Sequence, residues 1–442
     1  MTWTILRNGV AHETCDAHTI HRMTMLPPFA DARGRLAVRA GHLLDVETGR
    51  TTPDRTLLVN DGRIEAVLAP DDGLPDGTPV IDLGGLTILP GLIDTHGHLV
   101  GEAQTAGVPG TTTSGAQEAM LSVRNARVTA QAGFTTVRDL GPFRAFTDCA
   151  VRDAIDAGEV EGPRMQCAGA FITAPWGGGD VVGLAHDIRL PDDLRFGVVT
   201  TPAEVRERVR RLLIGGATVI KLIGTGAVLT RGGVPGVPEL SEDEMRAAVE
   251  EAAHYGTHVA VHAHSSEGAR RAMRAGARSV EHGSMLDADT IAMLADSGTY
   301  LGADLYDGEW ALEHGASDHW PNETMRKLAE TMDTGIAAFR MGIGRGVRIT
   351  YSTDSGVYPH ELVAKQFETY VRFGMAPLAA IRSATVVAAE CMGWADRVGT
   401  LAVGRFADLV AVDGDPLADI TVLERPVVVL KGGRVVLDIR AG

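Results

Sequence analysis

Short apolar runs in the middle of this 442-residue chain end, one after another, in side chains able to bind a metal. His96 and His98 follow LPGLIDT, and Lys221 sits in TVIKLIGTG. His262 and His264 end HVAVHAH, His282 ends SVEH, and Asp354 ends RITYSTD. Strand candidates at 88–94, 135–139, 165–172, 218–223, 258–264, 279–282, 299–305 and 347–354 alternate with amphipathic stretches such as 202–214 and 241–255. Thr201-Pro202-Ala203-Glu204 and Ser241-Glu242-Asp243-Glu244 are helix-start signals, each with a capping hydroxyl and an acid three residues on. Eight strands alternating with helices predict an α/β fold, a parallel (β/α)8 TIM barrel. Active sites of that fold form at the C-terminal ends of the strands. Five strand ends therefore bring metal-capable groups to one spot.

Side chains two apart on an extended segment share a face. His96 and His98 are thus placed to chelate, and His262 and His264 both to face the interior. Of the second pair, His262 is expected as a ligand and His264 beside it as a substrate or supporting contact. Lys221 lies among Val219, Ile220, Leu222 and Ile223, so its amine is expected to be buried. Burial near cations lowers an amine's pKa. The neutral amine can add carbon dioxide and become a carbamate, an anion with two oxygens that can bridge two metals. The plainer alternative is an ammonium that pairs with Asp354 or reaches out to a loop.

Both chain ends read differently. Residues 35–87 and 398–442 hold β-rich runs broken by turn signals such as Asn60-Asp61-Gly62 and Gly432-Gly433. They are expected to form one small β-sandwich domain, with 88–397 as the catalytic barrel between them. Residues 1–34 are expected to be an irregular segment, although His12, Cys15, His18 and His21 lie there. The N-terminus has no basic stretch leading into an apolar core, so no signal peptide is expected. The 4 cysteines are far apart, which argues against a disulfide framework and for the cytoplasm. A net charge of −16 and 5% aromatic residues argue against a nucleic-acid partner, and no apolar run is long enough to span a membrane.

Ile93-Asp94-Thr95-His96-Gly97-His98, Lys221, His262, His282 and Asp354, in that order, resemble the binuclear-metal amidohydrolase superfamily. The resemblance runs from about residue 39 to 438. FTTVRDLG, GPRM, VHAHSSEG, VEHGSMLD, STDSG and GRFADLVAVDGDPLADI are similar to the Xaa-Pro and Xaa-Arg dipeptidases and ochratoxin-type amidases within it. The resemblance implies that His96, His98 and Asp354 hold one metal, and His262 and His282 the other. Carboxylated Lys221 and a hydroxide would bridge them. It implies Asp354 as proton shuttle and His264 as the group that polarises the carbonyl. Imidazole and carboxylate ligands suit Zn2+, with Mn2+, Co2+ or Fe2+ as alternatives. The implied reaction is hydrolysis of an amide C–N bond, on an N-acyl amino acid or a dipeptide, by a homo-oligomer.

After the third strand those dipeptidases carry a Gly-Gly-His element, whereas this chain has FITAPWGGGD and no histidine until His186. Arg231, Trp176, Tyr306, Tyr358 and His360 are the candidate substrate contacts, each also readable as an ordinary loop or packing residue. Arg231 would pair with a substrate carboxylate. Arg138-Asp139 is expected to be a structural ion pair at the barrel rim. Glu267, three residues after His264, offers a competing reading: a mononuclear deaminase or cyclic-amide hydrolase of imidazolonepropionase type, with Glu267 as proton shuttle. The simpler role of Glu267 is the first acidic residue of a helix. A metal-retaining barrel turned scaffold is a third reading, disfavoured by the complete ligand set.

Overall fold

The structure is a computed structural model, and it describes residues 27–100, 110–185 and 187–440. His12, Cys15, His18, His21 and His186 lie outside the described residues. The chain begins with four strands: β1 (Arg35–Asp45), β2 (Arg50–Asn60), β3 (Arg63–Leu68) and β4 (Val80–Pro90). Next come β5 (Leu92–Gly97), β6 (Phe134–Asp139), β7 (Arg164–Cys167), β8 (Phe171–Ile172) and β9 (Ile220–Ile223). They are followed by β10 (Val259–Ser265), β11 (Ser279–Met285), β12 (Tyr300–Ala303) and β13 (Ile349–Tyr351). The last three are β14 (Leu409–Val412), β15 (Val428–Lys431) and β16 (Arg434–Asp438).

The two chain ends share a single seven-stranded sheet in the order β16-β15-β14-β4-β1-β2-β3. β4 is the joint: it runs parallel to β1 on one side and antiparallel to β14 on the other, with Ile88 opposite Ala411. One strand serving both halves explains why a continuous sheet stands where two facing sheets were expected. Arg63 bridges Phe406 at the far edge, so the sheet curls around a core of Val38, Leu57, Ile64, Leu83, Leu409 and Leu430.

The middle strands are all parallel, in two groups ordered β5-β6-β7 and β13-β12-β11-β10-β9-β8. Long helices separate most of them. The capping box at Ser241 and the Thr201 cap with Pro202 behind it are both formed. β5, β6, β9 and β12 are buried along their whole length, as expected of parallel strands covered on both faces. The run expected as one strand at 88–94 splits at Gly91. The Gly91 N–H still donates to Asp408 O beside β14 of the seven-stranded sheet, while the Leu92 N–H donates to Gly133 O beside β6. A Cβ at Gly91 would lie 2.1 Å from Thr135 Oγ1, so only glycine lets the chain cross between the layers here. The run 165–172 likewise breaks into β7 and β8 around Gly169, whose φ is +75°. Among the described residues no helix is long and apolar enough to cross a membrane.

Candidate metal centre

Parallel pairing brings the candidate ligands to one end of the strands. His96 lies in β5, Lys221 in β9, His262 and His264 in β10, and His282 in β11. His262 is level with Glu281 and Ala263 with His282. Asp354 follows β13, where the Asp354 N–H donates to His96 O at 2.8 Å and His98 N–H to Ser355 O at 2.9 Å. Asp354 Oδ1 stands 3.2 Å from His98 Nε2 and 3.5 Å from His96 Nε2. The Lys221 side chain is buried, 1% exposed, with Nζ 3.3 Å from His96 Nε2. The His262 ring centroid lies 4.6 Å from that of His264 and 4.3 Å from that of His282. The His282 ring is in turn 4.8 Å from His96.

His282 and Asp354 both adopt positive φ, 69° and 50°, which costs a non-glycine residue on the order of 1–3 kcal/mol. At His282 the consequence is visible. Consecutive residues of a regular strand face opposite ways. Here Glu281 and His282 both reach His96: the Glu281 carboxylate touches its Nδ1, and the His282 ring lies beside its own.

The Nδ1 atoms are held from behind. His96 Nδ1 donates to Glu281 Oε2 at 3.1 Å, His98 Nδ1 to Gly141 O at 2.9 Å, and His282 Nδ1 to Asp304 Oδ2 at 2.7 Å. His264 Nδ1 is 2.6 Å from the Ser284 hydroxyl. At His96 and His282 the carboxylate acceptors fix the tautomer and present Nε2 as a lone-pair donor, whereas the Ser284 hydroxyl donating to His264 Nδ1 leaves the His264 proton on Nε2. His262 Nε2 is buried and has no hydrogen-bond partner among the described residues. Donor atoms of His96, His98 and Asp354 lie within 4.8 Å of one another. Imidazoles whose Nε2 atoms gather around one carboxylate, together with a buried orphan nitrogen, are the donor set a divalent metal needs, so the residues fit such an ion.

Electrostatics agree with that fit. Burial brings the Lys221 ammonium down to about 8, against the pull of Glu281 and Asp354. Burial also pushes His96, His262 and His264 well below the usual imidazole range, with the Lys221 charge adding to the effect on His96. His96, His262 and His264 therefore sit as neutral donors near pH 7, while the Lys221 amine is brought within reach of deprotonation. Burial alone would raise Asp354. The hydrogen bond from His98 and the surrounding histidines outweigh it and hold the carboxylate well below its ordinary value.

Arg138 does not pair with Asp139. Neighbours on β6 face opposite ways, and the Arg138 guanidinium points inward to Glu281 Oε1 at 2.9 Å and Thr95 O at 2.5 Å. The Asp139 carboxylate instead accepts from the Leu99 and Gly141 N–H groups. Asp94, pushed up to about 6 by burial, accepts from the His96 N–H and from Thr353. Glu281, Asp304 and Asp94 are supports that sequence reasoning passed over. The available signal was charge within apolar strands, since a buried carboxylate needs a partner. Gly302 makes room for Glu281: a Cβ there would lie 2.2 Å from Glu281 Oε2. Gly302→Ala is therefore expected to displace the carboxylate from His96 and weaken metal binding about 10–100-fold. A metal titration against a chromophoric chelator checks this, and unchanged affinity would contradict it.

The substrate candidates are placed unevenly. Arg231 is exposed in the loop after β9, and Trp176 is 78% exposed with φ 59°. Tyr306 is half-buried and meets Tyr358 edge to face at 5.1 Å. Tyr358 is buried with Trp310 and Val357 in a side cluster. His360 is buried, with Nδ1 3.3 Å from Thr129 Oγ1. Glu267 points to the surface, its side chain 49% exposed and paired with Arg271 at 2.8 Å.

Known proteins give the site a context. Residues 87–436 match the model of the amidohydrolase family. Over 365 residues the chain is 30% identical to an ochratoxinase of Aspergillus niger, covering 78% of this chain and 75% of that protein. A Xaa-Pro dipeptidase crystal structure with bound methionine superposes with a TM-score of 0.85 at 34% identity, covering 91% of this chain and 99% of the other. A prolidase complexed with N-methylphosphonate-L-proline gives a TM-score of 0.84 at 30% identity, over 91% and 99% of the two chains. Amidohydrolases are typically metal-dependent, in keeping with the donor groups found here. The chain belongs to the amidohydrolase family and is a hydrolase acting on amide C–N bonds.

Proposed function

We propose that this enzyme is a binuclear zinc hydrolase that cleaves the amide bond of an N-acyl amino acid or a dipeptide. The carrying observation is Lys221: an amine buried in the strand layer, 3.3 Å from His96 Nε2, at the centre of the histidines. A single-metal enzyme has no use for it there. The outward position of Glu267, paired with Arg271, counts against it as the proton shuttle that the mononuclear reading needs.

In this reading β5 to β13 close into one (β/α)8 barrel spanning about 88–397, with the seven-stranded sheet as its partner domain. Support comes from the Gly97–Ser355 bridge at one seam and from Thr218 N–H donating to Cys167 O at the other. His96, His98 and Asp354 would hold one ion, and His262 and His282 the other, with carboxylated Lys221 shared. The chemistry such ions supply is Lewis acidity toward the scissile carbonyl and toward water, whose pKa falls from about 15.7 to about 7. Asp354, held ionised by His98, takes the proton of the attacking water and delivers it to the departing amine nitrogen. His264, fixed by Ser284, donates from Nε2 to the carbonyl oxygen as it gains charge. The described cysteines Cys149, Cys167 and Cys391 are free, which supports a reducing, cytoplasmic setting.

Hydrolysis of a mixed library of dipeptides, N-acyl amino acids and cyclic amides, followed by mass spectrometry, tests the reading. Release of free C-terminal amino acids is expected. Ring opening or ammonia release without amino-acid products would overturn it.

A further inference from the structure

The carboxylates around the centre are unequally balanced. Glu281 has Arg138 as counter-ion at 2.9 Å, and Asp354 lies against two histidines. Asp304, just beyond β12, has neither arrangement. Its Oδ2 accepts from His282 Nδ1, while Oδ1 is buried without a hydrogen-bond partner among the described residues. The Asp304 side chain is only 5% exposed, so bulk water does not serve that oxygen. An unpaired buried carboxylate oxygen is strongly unfavourable unless a cation or donor meets it.

Three residues on, Asp307 adds to the same acidic corner. Burial, reinforced by the charges of Asp304 and Asp354, raises its carboxyl well above the usual range. Among the described residues no arginine or lysine lies within ion-pair distance of Asp304 or Asp307; His282 is the hydrogen-bond partner of Asp304, and Lys221 acts on it only through its charge. Donor atoms of Asp304, His282 and Asp354 lie within 4.8 Å of one another, so this corner borders the reacting centre. Tyr306, between the two acids in sequence and half-exposed, stands beside it, edge to face with Tyr358.

A dipeptide brings one cation that fits this position. Its α-nitrogen is separated from the scissile carbonyl carbon by only two bonds, about 2.5 Å. An ammonium there must therefore lie at the very edge of the metal centre. An N-acyl group has no such charge and would leave Asp304 Oδ1 unmatched.

We propose that Asp304, with Asp307 beside it, is the subsite for the free α-ammonium of the substrate, so that the enzyme prefers unblocked dipeptides to N-acylated ones. Asp304 is thereby specificity-determining, in addition to holding His282. The inference rests on the amide-hydrolase reading proposed above, and its test separates the two.

The experiment compares kcat/KM for matched dipeptides and their N-acetyl derivatives, in the metal-loaded enzyme and in Asp304→Asn, with metal content measured on both. A charge-assisted contact at the α-nitrogen predicts a preference for the free amine of about 10–100-fold. In Asp304→Asn that ratio is expected to collapse toward one while metal remains bound. Asp307→Asn is expected to narrow it less. A wild-type ratio at or below one overturns the proposal. So does a variant in which both substrate classes slow equally, which would leave Asp304 as a support for His282 alone. Loss of metal in Asp304→Asn, with the free-amine preference of the residual activity unchanged, would leave Asp304 as the support of His282 and overturn the subsite. Absence of hydrolysis with either substrate class would overturn the amide-hydrolase reading itself, and the subsite with it.

Discussion

Lys221→Ala is expected to lose one of two bound metals and nearly all turnover. The side chain lies within reach of His96 Nε2 and is buried from solvent. Alanine removes the one group that the proposed centre shares between both ions and opens a gap in the strand layer. Because the proposed bridge would serve both ions, activity should fall by more than the roughly 10–100-fold typical of a mere supporting residue. Metal analysis and steady-state kinetics on the same preparation check this. Retention of both metals with wild-type kcat would remove Lys221 from the centre.

Glu281→Ala should be the most destabilising single change at the site. It strips the buried Arg138 guanidinium of its carboxylate and His96 Nδ1 of its acceptor at once. Breaking a buried ion pair by deleting one partner costs about 3–5 kcal/mol, because a charge is left uncompensated. That is a large fraction of the roughly 5–15 kcal/mol by which folded domains are stable. Urea unfolding of the metal-free proteins isolates this effect from ligand loss. A change under about 1 kcal/mol, the usual worth of an exposed pair, would show that Arg138 finds solvent or another partner.

The convergence of the strand ends was legible because side chains able to share a metal must lie together. His-x-His spacing and a lysine among Val219, Ile220, Leu222 and Ile223 are local patterns, and parallel pairing turned them into one site. What escaped was non-local or conformational. Arg138 and Glu281 are 143 residues apart and lie on strands of different groups, so only the tertiary fold brings them together. The adjacency of Arg138 and Asp139 suggested a pair, but strand alternation sends them to opposite sides. The positive φ of His282, which lets Glu281 and His282 both reach His96, carries no mark in the sequence. The shared role of β4 was hidden in the same way, because one apolar run served two sheets and Gly91 alone signalled the change.

The central claim is a two-metal centre built around a carboxylated lysine. The most direct measurement is the metal stoichiometry of protein prepared with zinc and bicarbonate, read beside the intact mass of the Lys221 peptide under conditions that preserve carbamates. The account predicts two metals per chain and the added mass of carbon dioxide on Lys221. One metal per chain with an unmodified Lys221 would contradict it.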